Sequence, residues 1–179
     1  ELPNVEFKEY LGTWNIDDWK ERIDDAVNGV QDADLIILAL GEITAMGNKD
    51  GTSGEGVNNP DLRLPHHQEA LVRALSTLNI PMVMTLFNGR AFALGEMEPL
   101  VNAIVDAWYP GPAGAKPLAQ VLTGKVNPSG HLPLTFPKFS SQCPLYYGTK
   151  TGSGYIDLKQ KPKFDTTQPL YPFGHGLSY

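Results

Sequence analysis

Cysteine is almost absent from this sequence: Cys143 stands alone, so no internal disulfide forms and a zinc site built on paired cysteines is excluded. Positive charge is scarce too. The chain has 14 Lys and Arg against 20 Asp and Glu, a net charge of −6, and its basic residues are scattered apart from a small run at Lys159, Lys161 and Lys163. Nucleic acid is not an expected partner, because nothing supplies the cationic footprint a phosphate backbone needs. No apolar run approaches the roughly 20 residues that span a bilayer, and the opening ELPNVEF has neither the basic region nor the apolar stretch of a signal peptide. No membrane association is expected. A first residue that is Glu and not Met suggests a fragment of a longer chain, compatible with either a cytoplasmic or an extracytoplasmic address.

Several site signatures are missing as well. GPAGAK at Gly111 to Lys116 has glycines and a lysine, but a phosphate loop requires Ser or Thr after the lysine, where this chain has Pro117. No G-x-S-x-G elbow is present for a Ser-His-Asp hydrolase. Asp50, Ser53 and Glu55 are too poor in carboxylates for a calcium loop. His66 and His67 are adjacent, so they point to different faces and read as surface or capping residues. No metal and no cofactor are expected.

What is present is enough for one domain over 1–179, since 179 residues at 41% hydrophobic suit a single core. Alternating Val5 and Phe7 suggest a strand over Val5 to Tyr10. Asn15 is a candidate helix cap, with Asp17 and Asp18 in the first turn and Ile16, Trp19, Ile23, Val27 and Val30 at helical spacing. Asp34 to Leu40 (DLIILAL) and Pro81 to Phe87 (PMVMTLF) are unbroken apolar runs, the signature of strands buried on both faces. Ala103 to Trp108 and His131 to Phe136 are weaker strand candidates. Helices are expected from Pro65 to Leu78 and from Gly114 to Thr123, the latter stopped by Gly124. This alternation argues for an α/β fold, a three-layer sandwich with a mostly parallel sheet and helices on both sides, flavodoxin-like in plan. The tail 137–179 is irregular, rich in aromatic residues, proline and glycine, and is expected to wrap the domain.

In such sheets ligands gather where the carboxyl ends of the strands release their loops. The loop after Leu40 runs for about two dozen residues, far longer than a usual strand-to-helix connection. It contains NKDGTSGEGVNN, in which one acid, Glu55, is held between two glycines that permit close approach of a ligand. A carboxyl there can serve as general acid, general base or acceptor; composition alone favours the plainer reading of a solvated surface acid.

SGEGVNNPDLRLPHHQEALVRAL at Ser53 to Leu75, LFNGRAFAL at Leu86 to Leu94 and AWYPG at Ala107 to Gly111 follow one another in order. VLTGKVNPSGHLPLTFP at Val121 to Pro137 and YPFGHGLSY at Tyr171 to Tyr179 complete the series. Together they resemble the second, α/β-sandwich domain of glycoside hydrolase family three, of the bacterial β-glucosidase type. The resemblance implies a retaining β-glycosidase that hydrolyses terminal β-linked sugars. A (β/α)8-type barrel outside these residues would supply the aspartate nucleophile, and this domain the acid/base, which falls on Glu55.

Retaining hydrolysis needs two carboxyl groups about 5 Å apart, so the 179 residues by themselves are expected not to turn over substrate. Glu42, after the first apolar run, is the rival acid or a brace for the loop. Asn88 and Arg90 are candidates for bracing the crevice or touching the sugar. Trp108 could face a sugar or pack in the core. The chain departs from the family pattern where an arginine usually follows the acid, having Val57, Asn58 and Asn59 there, and again at Thr151 to Tyr155. Two other readings are a non-catalytic carbohydrate-binding or interdomain module, and a flavin or nucleotide binder, which the missing phosphate loop disfavours.

Overall fold

In a computed structural model that describes residues 5–10, 17–47, 50–57, 59–148 and 168–179, three apolar segments form the sheet. β1 (Ile36–Gly41), β2 (Met82–Phe87) and β3 (Ala103–Asp106) run parallel in that order. Three α-helices accompany them among the described residues: α1 (Trp19–Gly29), α2 (Gln68–Ser76) and α3 (Ala115–Leu122). The fold is α/β.

Register decides where the core sits. Ile36 pairs with Met82, Leu38 with Met84 and Leu40 with Leu86, so all six side chains emerge on one face. Val72 and Leu75 of α2 cover them, together with Leu64, Phe92, Leu94 and Met97, and Val27 and Val30 pack in from the region of α1. Met84 and Leu86 are fully buried, and burial of such a side chain contributes roughly 1.5–3 kcal/mol each.

The other face carries Ile37, 46% exposed, and Phe87, which lines a shallow apolar groove with Ala115, Leu118, Ala119 and Leu122 of α3. β1 is therefore not buried on both faces, as its unbroken apolar run suggests. α1 and α2 lie over one side only, and the two-residue period of a strand sends Ile37 and Ala39 to the other. The central β2 buries more: even Thr85 is 1% exposed, its hydroxyl donating to the Leu38 carbonyl at 2.7 Å.

Several boundaries differ from expectation. Residues 5–10 form no strand and are exposed; alternation makes a strand only beside a hydrogen-bonding neighbour, and this segment is instead tied down by Lys8 to Asp32 at 2.8 Å. α1 starts at Trp19 with Asp18 at its N-cap, bonded to Arg22 at 3.0 Å, so the two aspartates precede the helix; Asn15 and Ile16 lie outside the described residues. α2 starts at Gln68 and not at Pro65, because His66 has φ 55°, incompatible with a right-handed helix. His67 holds the N-cap position without a capping bond and stacks on Trp19 at 4.1 Å. α3 ends as its Gly124 suggests, the Gly124 N–H donating to Val121 and the Lys125 N–H to Gln120, the paired bonds of a Schellman end.

His131 to Phe136 is not a strand either. Pro133 removes a donor from the ladder, and only Phe136 forms a bridge, antiparallel to Tyr171. The described end of the tail returns along this segment, Leu132 and His175, then Gly174 and Leu132, bonding at 2.8 Å. Tyr179 closes it, its N–H donating to Asn127 at 2.9 Å and its hydroxyl to the Val121 carbonyl at 2.5 Å. Thr151 to Tyr155 lie outside the described residues.

Candidate active site

The loops leaving β1, β2 and β3 converge at one end of the sheet. Gly41, the last residue of β1, lies so close to β2 that a Cβ on it would fall 2.0 Å from the Phe87 carbonyl oxygen; no side chain fits. Gln68, opening α2, fixes this exit by accepting from the Gly41 N–H at 2.9 Å and donating to its carbonyl at 2.8 Å.

Glu42 follows and turns inward, its side chain 1% exposed. One carboxylate oxygen pairs with the Arg90 guanidinium. The other accepts from the Gly89 N–H at 3.3 Å and the Tyr109 hydroxyl at 3.2 Å. A buried carboxylate is stable only when charge and hydrogen bonds compensate it, and here residues after β2 and β3 supply both.

Arg90 does more than neutralise Glu42. It donates to the Thr52 carbonyl at 2.9 Å and to the Asn59 carbonyl at 2.9 Å. These carbonyls flank Glu55 on either side, so one guanidinium holds both legs of the long loop, a use of its divergent donors that lysine could not copy. Within the loop, Thr52 and Ser53 donate their N–H groups to the Ile43 carbonyl at 2.8 and 3.1 Å, and Ala45 donates to Ser53 at 2.8 Å.

At the loop's tip Val57 donates its N–H to the Gly54 carbonyl at 3.1 Å, closing a four-residue turn with Glu55 and Gly56 at its centre. Gly56 has φ 74°, the positive value that the third position of a type II turn requires. Glu55 thus stands exposed at the tip. The two glutamates of this loop are opposites: Glu42 is enclosed and engaged at both oxygens, whereas Glu55 faces outward on a pinned backbone.

Asn88 is fully buried and donates to the Arg90 carbonyl at 2.7 Å, so it braces the backbone that carries Arg90. Trp108 is half-buried, meeting the buried Phe136 edge-on at 6.2 Å, and its φ of 52° is unusual for a bulky residue. Its N–H donates to Asp106 at 3.1 Å. Burial pushes the Asp106 carboxyl above the ordinary carboxylate range, against the opposing pull of the Trp108 N–H and Asn88.

Three residues here have no advance signal as individuals: Ser53, Gln68 and Tyr109. Each sits inside a quoted motif, but only the fold shows that Ser53 and Tyr109 bond at 2.6 Å. Burial first, with Glu42 adding and Ser53 opposing, raises the Tyr109 phenol above its usual range.

The profile of the glycosyl hydrolase family 3 C-terminal domain matches residues 3–179. The chain belongs to that family. This family 3 domain is 36% identical over 165 residues to a periplasmic β-glucosidase of Salmonella typhimurium, covering 88% of this chain and 20% of that protein. It is 32% identical to a β-xylosidase of Formosa agariphila over 89% of its own length and 21% of the relative's. The crystal structure of a β-glucosidase from Listeria innocua in complex with glucose resembles it with a TM-score of 0.75 at 34% identity, over 89% of this chain and 22% of that one. The domain therefore spans about a fifth of the length of the relatives it matches.

Proposed function

We propose that this domain supplies the general acid/base of a retaining β-glycosidase acting on terminal β-linked sugars of the β-glucoside type, with Glu55 as that residue. The observation that carries the reading is the contrast on one loop: Glu55 is held outward on a turn whose two legs are tied to Arg90, and Glu42 is locked inside by Arg90, Gly89 and Tyr109. A proton donor must reach the glycosidic oxygen of a bound substrate, and only Glu55 of the two has a free approach.

Retention requires a second carboxylate on the other side of the anomeric carbon. A (β/α)8-type barrel domain of the same polypeptide supplies it as an aspartate. Attack by that aspartate forms the glycosyl-enzyme while Glu55 protonates the departing oxygen; Glu55 then takes a proton from the water that releases the sugar. The division leaves the 179 residues inactive without the barrel. Glu42, Asn88 and Arg90 hold the loop, and Trp108 packs against Phe136.

The test compares wild type with Glu55→Gln in the complete protein, using aryl β-glucosides with one good and one poor leaving group, with and without azide. The expected result is a loss of about 10²–10⁴-fold on the poor leaving group, a small loss on the good one, and rescue by azide. Equal, unrescued loss on both substrates, or no loss, would move the acid elsewhere and leave this domain as a carbohydrate-binding or interdomain module.

A further inference from the structure

We propose that Tyr109 is a positioning residue for the acid loop, acting through Ser53 on the turn that presents Glu55; this rests on Glu55 being the acid. Tyr109 belongs to the segment after β3, yet its hydroxyl reaches both the start of the loop that follows β1 and its middle, just ahead of the turn. It lies 3.2 Å from Glu42 and 2.6 Å from the Ser53 hydroxyl, two residues before Glu55.

The direction of these bonds follows from valence. Glu42, paired with Arg90, only accepts, so the single proton of the Tyr109 hydroxyl goes to Glu42. Ser53 must then donate to the Tyr109 oxygen. The result is a one-way chain from Ser53 to Tyr109 to Glu42, ending on the charge that Arg90 neutralises.

Two features aim the phenol. Trp108 at φ 52° bends the chain at the end of β3, a strained conformation of the kind retained where geometry matters. Gly89 leaves room for the ring, since a Cβ there would sit 3.0 Å from the Tyr109 ring edge. Arg90 grips the loop through backbone carbonyls at Thr52 and Asn59; Tyr109 adds a side-chain contact at Ser53, between Thr52 and the turn. Removing its hydroxyl leaves the ring over Gly89 and frees the approach to Gly54.

The experiment uses Tyr109→Phe, Ser53→Ala and the double variant in the complete protein, with the same pair of leaving groups. A displaced acid slows only the step that needs protonation. The expected result is a fall of about tenfold in kcat/KM on the poor leaving group for each single variant, little change on the good one, and a double variant no worse than either single. Equal losses on both substrates, additive losses in the double variant, or no loss would overturn the assignment. A Glu55→Gln control in the same series separates the two ideas: if it shows the leaving-group signature and Tyr109→Phe does not, Tyr109 fails alone. If Glu55→Gln lacks the signature, the acid assignment fails first, and the Tyr109 assignment with it.

Discussion

Glu42 and Glu55 share a loop, a charge type and a place at the same end of the sheet, yet their surroundings are opposite. Glu42 is buried, with both oxygens satisfied by groups from the segments that follow β2 and β3, so its charge organises structure. Glu55 is exposed at a turn whose backbone, not its side chain, is held. A carboxyl that is itself a framework bond is not free to exchange protons with a substrate; one carried by a fixed backbone is. The placement of both follows from a single cation, Arg90, bonded to Glu42 on one side and to the legs of the Glu55 loop on the other.

The hardest way to break this contrast is Arg90→Ala. It leaves the Glu42 carboxylate buried and short of its counter-charge, which should cost about 3 kcal/mol, the low end for one half of a buried pair because Arg90 is itself partly exposed. Denaturant unfolding measures it, and a loss under about 1 kcal/mol would mean that the pair is far better solvated than its burial suggests. Glu42→Gln keeps the shape and removes the charge, so a smaller loss of about 2 kcal/mol is expected in the same assay.

Gly56→Ala probes the Glu55 side of the contrast. Its added Cβ would meet no atom within 4 Å, so the expected loss of about 1 kcal/mol comes only from backbone forced to positive φ. Because the strain falls on the turn itself, activity on poor leaving groups should fall along with stability.

Asp106 offers a third acid at the same end of the sheet. Its folded-state pKa is raised by burial, so both states hold the proton at low pH. As pH climbs from the unfolded value of about 3.9, the unfolded chain releases its proton first and stability falls until the folded group also ionises. Asp106→Asn should therefore raise Tm at neutral pH, by no more than about 2 °C, and leave it nearly unchanged near pH 3.5. A gain of equal size at both pH values would assign the effect to packing instead.

The smallest expected effect is that of Glu55→Gln on stability, within about 0.5 kcal/mol, although the same change removes the proposed acid. A larger loss would show that Glu55 is part of the framework and would erase the contrast with Glu42.

Much of this fold is legible in the sequence. The apolar runs at 34–40 and 81–87 mark β1 and β2, and the unusual length of the intervening loop marks the candidate site. Less legible were features that depend on a neighbour. Val5 to Tyr10 has a strand's alternation but no strand partner, and His131 to Phe136 has the apolar content but also Pro133, so neither joins the sheet. β1 reads as doubly buried because an apolar run does not say which face a helix will cover.

By itself the sequence determined the α/β class, the family and the presence of one acid between two glycines, because periodicity, composition and motif order are local properties of the chain. Only the tertiary structure decided that Arg90 holds both legs of the acid loop, that Glu42 is enclosed and that Tyr109 reaches Ser53. Those are contacts between residues separated by tens of positions, made when parallel strands bring their carboxyl ends together, and no pattern along the chain records the distance between two loops.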